Sequence, residues 1–223
     1  IYEKTKYFMC CSGYLQWRAT GVMAVDRNYD GIQPYPFYDK ILSVCGVDPA
    51  KVAPNVQACR RYADLDRKGA TELGLCEGTP VFGGCIDVPA AAAGAGCGRV
   101  GDAHIYLGSS GWLSALIPHR FDQVASGAYQ LPGIDPDMMI YGGCTNSACL
   151  MQNWTIDRFY PAEKQEPDYF NILERELRNV PAGSDGMIAT PWLFGEQFPI
   201  CDDKVRATFF NVKQDHNRAY FLN

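Results

Sequence analysis

One acidic side chain and one small-residue turn within residues 81–114 could do chemistry. Asp87 follows a Gly-Gly pair and precedes an alanine-rich segment whose composition predicts a helix. A carboxylate held at the start of a helix can serve as a general base. Farther along, a strand-like run at residues 103–107 breaks into a Gly-Ser-Ser-Gly turn at residues 108–111.

The turn at residues 108–111 is suited to phosphate. Gly/Ser turns leave backbone N–H groups free to receive phosphate oxygens, and serine hydroxyls supply further donors. A base and a phosphate-binding turn together indicate phosphoryl transfer to a hydroxyl group. Each feature also has a plain structural interpretation, because Asp is a favoured N-cap residue and most turns of this composition are only turns.

Length, charge and hydropathy narrow the class of protein. The 223 residues, 47% of them hydrophobic and 20% charged, suit one large or two small globular domains. The formal net charge of −5 provides no basic face for nucleic acid. No run approaches the roughly eighteen apolar residues of a membrane span, and the first residues lack the apolar core of a signal peptide. We therefore expect neither nucleic acid nor membrane as a partner.

The cysteines and histidines indicate a reducing compartment and no structural metal. The ten cysteines include no C-x-x-C pair and fall far below the density of a disulfide-built domain. We predict reduced, mostly buried thiols in a cytoplasmic protein. The three histidines show no zinc spacing with any cysteine, so a structural metal site is not expected.

Periodicity and turn residues predict the helices and strands that must position these groups. Helices are predicted over residues 1–25, 37–46, 64–74, 146–159 and 169–180, after Asp87 and from Gln214, and strands at 81–82, 104–115 as a hairpin, 128–132, 138–141 and 186–193. Gly21 and Gly74 are expected to end two of the helices. Residues 26–40 are predicted to be a loop.

A glycine-rich segment at residues 96–101 matches the dinucleotide fingerprint G-x-G-x-x-G. A true fingerprint follows a strand and opens a helix, whereas this one follows a predicted helix and leads into a predicted strand. We therefore interpret it as a connector, with a domain boundary near residues 98–102.

Four separated motifs resemble those of the FGGY carbohydrate kinases. They are GYLQWRATG at residues 13–21, GTPVFGGCID at 78–87, HIYLGSSGW at 104–112 and PWLFGEQFPICD at 191–202, and HNRA at 216–219 resembles the start of a further family helix. Each motif alone is weak, but four of them in the family's order make a strong resemblance that spans nearly the whole chain. The third motif is most similar to xylulokinase-type members.

The resemblance implies the actin-like, RNase H-like ATPase fold with two α/β lobes. Residues 1–100 would be the C-terminal part of lobe I, on the sugar-binding side. Residues 101–223 would be the N-terminal part of lobe II, on the nucleotide-binding side. Because members of the family are considerably longer, the chain is expected to be a central fragment that is inactive alone.

The resemblance also implies an activity and its cofactors. The full protein is expected to phosphorylate a hydroxyl of a sugar or polyol, D-xylulose or a related ketose above all, by in-line transfer from ATP with Mg²⁺. Asp87 would be the general base, and Asp87 and Val88 would contact the sugar, although many relatives carry Asn or Gln where Val88 stands. A homodimer is a further expectation.

The same resemblance places the nucleotide at a second group of residues. The implied nucleotide-binding residues are Gly108, Ser109, Ser110, Ser147 and Cys149. Two of them depart from the family pattern, since Ser109 stands where Thr is usual and Cys149 where a smaller Gly or Ala is expected.

Several assignments stay open between function and structure. The segment 146–159 is equally well interpreted as an ordinary amphipathic helix. Glu196 could orient loops of the site or only bond local backbone amides. An aromatic group in the predicted loop could form a sugar platform, although packing on the core is favoured; its members are Tyr29, Tyr35, Phe37 and Tyr38.

Two other classes of function also stay open. A non-catalytic sugar-sensing or scaffolding relative would share the fold without turnover. An actin-like ATPase that moves or chaperones other proteins is a weaker alternative. Asp87 on its Gly-Gly turn suits a sugar hydroxyl, whereas those proteins activate water.

Overall fold

The computed structural model describes residues 1–26, 38–135 and 137–223. The helices of this part are α1 (Cys11–Thr20), α2 (Tyr38–Val44), α3 (Arg67–Leu73), α4 (Asp87–Gly94), α5 (Cys149–Phe159), α6 (Tyr169–Leu177) and α7 (Arg218–Leu222). Short 3₁₀ turns lie at Tyr2–Lys4, Pro49–Lys51, Glu163–Gln165 and Ser184–Gly186. Most of the predicted loop lies outside the described residues, and with it Tyr29, Tyr35 and Phe37. Tyr38 is the first residue of α2, but its side chain is also outside the part that the structure describes.

The strands form four separate sheets in the described part of the chain. They are β1 (Val25–Asp26), β2 (Asn55–Val56), β3 (Arg61–Asp64), β4 (Pro80–Phe82), β5 (Ala103–Leu107), β6 (Gly111–Ile117), β7 (Ala128–Pro132), β8 (Met139–Thr145), β9 (Ile188–Thr190) and β10 (Thr208–Phe210). β1 pairs with β2 in parallel, whereas β3 with β4 and β9 with β10 are antiparallel. The largest sheet has the strand order β5-β6-β8-β7.

The chain divides into two compact units. The first unit comprises residues 1–104, 115–121 and 130–141, and the second comprises residues 105–114, 122–129 and 142–223. The assignment of residues 1–100 and 101–223 to two kinase lobes stays a prediction.

In the first unit, α1 and α3 approach closely because their contact residues are small. Gly21 ends α1 in the left-handed conformation, as predicted, with φ of 72°. Asp66 caps α3 by accepting a hydrogen bond from the Gly69 N–H at 2.6 Å. A Cβ atom on Gly69 would lie 2.1 Å from the carbonyl oxygen of Ala19. Only glycine therefore fits at this crossing.

In the second unit, α5, α6 and α7 surround a small apolar core. Ile156, Tyr160 and Leu173 are almost fully buried there, and Leu222 of α7 packs against them. Burial of such side chains is the main favourable term that holds the helices together. Arg218, the first residue of α7, lies over the Tyr160 ring at 4.2 Å.

Some predicted elements are shorter in the structure, and hydrogen bonds explain why. The predicted helix over 1–25 is confirmed only as α1, because the Phe8 N–H donates to the Lys51 carbonyl at 2.6 Å and is tied to another segment. The predicted helix over 64–74 begins later, since Asp64 ends β3 and Asp66 is the cap. The hairpin at 104–115 and the strand at 128–132 are confirmed as β5–β6 and β7.

The glycine-rich segment is a connector, as predicted. It lies between the end of α4 and the start of β5, so it cannot be a dinucleotide fingerprint. The Asp102 carboxylate fixes it by accepting the N–H groups of Gly98 and Arg99, each at 2.9 Å. These two hydrogen bonds, Gly98 first, lower the pKa of Asp102.

The prediction that the cysteines are mostly buried is wrong. All ten lie in the described residues, where none forms a disulfide, and each is either exposed or half-buried. Most of their neighbours in the sequence are apolar or small, but seven of the ten cysteines lie in turns and loops outside the helices and strands. Among the described helices, none combines the length and the apolar character that a membrane crossing requires.

Candidate functional site

Asp87 is the first residue of α4, and its carboxylate is largely free. Ile86 takes the N-cap position without a side-chain hydrogen bond, so Asp87 is not the cap itself. The Oδ1 atom accepts the N–H of Val88 at 2.9 Å. Among the described residues, Oδ2 has no hydrogen-bond partner, and the side chain is exposed. A carboxylate oxygen without other partners can accept a proton.

The Gly-Gly turn before Asp87 is held by side-chain and backbone contacts. Gln16 of α1 donates from Nε2 to the Gly83 carbonyl at 2.6 Å. The Gly84 N–H donates to the Ala58 carbonyl at 3.1 Å. A Cβ on Gly83 would lie 2.4 Å from the carbonyl oxygen of Gln57, and Gly84 has a positive φ of 76°. Both glycines are therefore required by the backbone that places Asp87.

Val88, the other predicted sugar contact, offers no free polar group. Its side chain is apolar and half-buried, and its N–H is bonded to Asp87. A contact between Val88 and a sugar would therefore be van der Waals contact alone. Its role stays a prediction.

In the second unit, residues 108–111 form the predicted turn between β5 and β6. The Gly108 N–H donates to the Ser110 carbonyl at 2.9 Å and closes the turn. Ser109 and Ser110 are exposed, and their backbone N–H groups have no partner among the described residues. Tyr106 and Trp112 stack across the hairpin with ring centroids 3.8 Å apart. The turn thus presents free donors on a rigid base.

The carbonyl groups of the same turn cap α5. Ala148, at the N-cap position, has no side-chain capping bond. Instead, the Ala148 N–H donates to the Ser109 carbonyl at 2.9 Å and the Cys149 N–H donates to the Gly108 carbonyl at 2.9 Å. The Leu150 N–H donates to Ser109 as well, at 3.3 Å. These bonds satisfy N–H groups that a helix start leaves unpaired, and they join the turn to α5.

Direct hydrogen bonds thus join three of the five predicted nucleotide-binding residues, namely Gly108, Ser110 and Cys149. A fourth, Ser109, lies between Gly108 and Ser110, and its carbonyl accepts the N–H groups of Ala148 and Leu150. The fifth, Ser147, lies directly before the capped helix start. It is fully buried, and its Oγ is among the buried side-chain atoms without a hydrogen-bond partner.

Glu196 is the buried acidic group of this region. It is 3% exposed. Its Oε2 accepts the hydroxyl of Thr145 at 2.6 Å, and its Oε1 accepts the N–H groups of Asn146 at 3.3 Å and Gln197 at 2.7 Å. The sequence left two roles open for Glu196. Its bonds to the backbone amides of Asn146 and Gln197 are present, and a role in orienting loops of the site stays a prediction. The sequence did not indicate Thr145, because no local pattern connects residues 51 positions apart.

Known proteins are similar to this chain in sequence and in structure. No family model matches the chain. The chain is 25% identical to the xylulose kinase of Bacillus subtilis over 228 residues, which cover 100% of this chain and 45% of that protein. It is 24% identical to the gluconokinase of the same organism over 92% of this chain and 39% of that protein. The crystal structure of a xylulose kinase from Rhodospirillum rubrum matches with a TM-score of 0.77 and 24% identity, over 94% of this chain and 43% of that one.

The sequence homologues that cover nearly the whole chain are named xylulose kinase and gluconokinase, which are FGGY carbohydrate kinases. This confirms the resemblance inferred from the four motifs, and the structural match confirms the actin-like sugar kinase fold. The chain spans less than half the length of these FGGY kinases.

The residues present fit the phosphates of a nucleotide better than they fit a metal ion. The turn at 108–111 combines two exposed serines and unpaired N–H groups, which are ligands for phosphate oxygens. In the part of the chain that the structure describes, no group of three or more acidic, histidine or cysteine side chains could hold a metal ion. We therefore name no Mg²⁺ ligand among the described residues.

Proposed function

We propose that the protein carrying this chain transfers a phosphoryl group from ATP to a hydroxyl of a sugar or polyol, with D-xylulose or a related ketose as the first candidate. Two similar proteins are named xylulose kinase and gluconokinase. The observation that carries the proposal is the exposed Asp87 carboxylate, fixed at the start of α4 with one oxygen unbonded.

Asp87 acts in this proposal as the general base. The incoming hydroxyl must lose its proton as it attacks phosphorus, and a carboxylate oxygen without other partners can accept it. The Val88 N–H holds the other oxygen, which fixes the orientation of the carboxylate. In phosphoryl transfer, positioning and charge stabilisation contribute most of the rate, and the base contributes a smaller share.

Ser109 and Ser110 hold ATP phosphate oxygens in this proposal. Their N–H groups are unpaired and their hydroxyls exposed, whereas the carbonyls of the turn are bonded to α5 and do not repel the anion. ATP supplies the phosphoryl group when bound, and we propose that Mg²⁺ arrives with it. A cytoplasmic location is supported by the ten cysteines, none of which forms a disulfide in the described residues. The homodimer stays a prediction.

The experiment is an ADP-release assay of the full-length gene product with a panel of ketoses, gluconate and glycerol. Asp87→Asn keeps the size of the side chain but removes its basicity, so we expect turnover to fall by about 100-fold or more. ATP binding, followed by titration, should stay close to that of the unsubstituted protein. The matched control is Glu77→Gln in the same unit, since Glu77 is exposed and has no side-chain contact in the described part.

Near-normal turnover in Asp87→Asn would reject the base assignment. Sugar binding without turnover in the unsubstituted protein would instead support the non-catalytic, sugar-sensing alternative.

A further inference from the structure

The Glu196 carboxylate is buried, and each of its hydrogen bonds is accepted from an O–H or N–H group. Besides Thr145, Asn146 and Gln197, the Phe198 N–H lies 3.4 Å from its Oε1. A buried charge is costly unless hydrogen bonds replace its hydration. Four donors on two oxygens provide that replacement.

The turn that carries Glu196 is itself tightly constrained. Glu196 and Asp202 exchange two backbone hydrogen bonds of 2.8 Å each, which close the loop between them. A Cβ on Gly195 would lie 2.6 Å from the Asp203 backbone, and a Cβ on Gly143 would lie 2.3 Å from the Phe198 ring. Close packing of this kind leaves the Glu196 side chain on a rigid support.

A short chain of bonds leads from Glu196 to the Gly/Ser turn. Thr145 ends β8 and Asn146 follows it, and both donate to Glu196. Three residues after Asn146, α5 begins at Cys149, and the N–H groups of its start are bonded to the carbonyls of Gly108 and Ser109. All these residues belong to the second unit.

We propose that Glu196 is a positioning residue for ATP. Its carboxylate fixes the connection between β8 and α5, and α5 in turn fixes the peptide groups of Gly108 and Ser109, whose neighbouring N–H groups bind phosphate. The inference rests on the proposed function, and it assigns Glu196 no contact with substrate.

The test uses the full-length gene product with Glu196→Ala, Glu196→Gln and Thr145→Val. Glu196→Ala and Thr145→Val should raise the KM for ATP by about tenfold or more, since small misplacements of binding groups have large effects. The KM for the sugar should not change. Glu196→Gln should restore most of the ATP affinity, because its amide oxygen can accept the N–H groups while its NH₂ donates to the Thr145 hydroxyl.

Hydrogen exchange provides a readout that does not depend on turnover. The amides of Ala148, Cys149 and Leu150 should exchange faster in Thr145→Val than in the unsubstituted protein, while amides of α6 keep their rates. Glu166→Ala is the control, since it removes an exposed carboxylate of the same unit that has no side-chain contact among the described residues.

An unchanged KM for ATP in folded Glu196→Ala, or an equal rise in both KM values, would overturn the proposal. If Glu196→Ala does not fold, unchanged ATP affinity and amide exchange in Thr145→Val would overturn it equally. If the unsubstituted protein turns over no sugar, the proposed function fails by itself. The exchange rates at Ala148, Cys149 and Leu150 then still show whether Glu196 positions the turn.

Discussion

Asp87 in the first unit and Glu196 in the second both lie beside a glycine-containing turn, but they differ in burial and bonding. Asp87 is exposed and accepts one N–H group. Glu196 is 3% exposed and accepts four donors on two oxygens. A carboxylate with an open oxygen can exchange a proton, whereas one whose lone pairs are occupied holds structure. This difference supports the two proposed roles, a general base for Asp87 and a positioning residue for Glu196.

The supports of the two carboxylates differ in the same way. The turn before Asp87 is bonded to Gln16 and to backbone carbonyl groups, so its own glycines supply the geometry. In the Glu196 turn, by contrast, the carboxylate of Glu196 itself accepts the hydrogen bonds that hold the turn. Removing Asp87 should therefore affect chemistry first, and removing Glu196 should affect stability as well.

The largest expected effect on stability is that of Glu196→Ala. It leaves several buried donors without an acceptor, so the free energy of unfolding should fall by about 3 kcal/mol. Asp87→Ala removes one exposed bond and should leave the unfolding midpoint nearly unchanged. Urea unfolding of the full-length gene product, followed by tryptophan fluorescence and by far-UV circular dichroism, measures both. Equal losses in the two variants would remove the distinction between them.

Local patterns were enough to predict the elements around Asp87. Gly21 and Gly74 were predicted as helix ends from their identity alone, and both have the positive φ that favours glycine. The hairpin around residues 108–111 was predicted from strand alternation on either side of small residues. These features depend on residues that are close together in the chain, and for this reason the sequence alone predicts them.

The environment of Glu196 could not be predicted in the same way. Its hydroxyl donor, Thr145, lies 51 positions away, and nothing in the sequence pairs them. Nor does the sequence show that the turn carbonyls, rather than a side chain, cap α5. The burial of the cysteines was predicted wrongly for a related reason, since apolar neighbours in sequence do not enclose a thiol in space.

Glu176 of α6 lies between Asp87 and Glu196 in the number of hydrogen bonds that its carboxylate accepts. Arg218 donates to its two oxygens at 2.5 and 3.1 Å, and the Tyr160 hydroxyl donates at 3.0 Å. The bond from Arg218 lowers the pKa of Glu176, and a second Arg218 bond lowers the pKa of Glu163. Burial above all raises the pKa of Tyr160.

The bonds from Arg218 to Glu163 and Glu176 predict that the stability of the fold depends on pH. Because both glutamates have lowered pKa values in the folded state, their bonds stabilise the fold above the ordinary glutamate pKa of about 4.3. The stabilisation is lost as the pH falls through the lowered values. Arg218→Met should therefore be less stable at neutral pH and should lose less stability on acidification. Urea midpoints between roughly pH 7 and pH 3 measure both slopes, and identical slopes would contradict the assignment.

The smallest effect on turnover is expected for Gln16→Ala, because several other contacts hold the turn before Asp87. Gln16→Ala removes the side-chain donor of the Gly83 carbonyl, which costs about 1 kcal/mol. The backbone bonds of Gly83 and Gly84 to the Arg60 and Ala58 carbonyls remain. We therefore expect kcat to fall only slightly, with an unchanged KM for ATP. Gln152→Ala, an exposed change on α5, is the control for the loss of an amide side chain. A fall in kcat as large as that of Asp87→Asn would mean that Gln16, rather than the two glycines, holds the carboxylate in place.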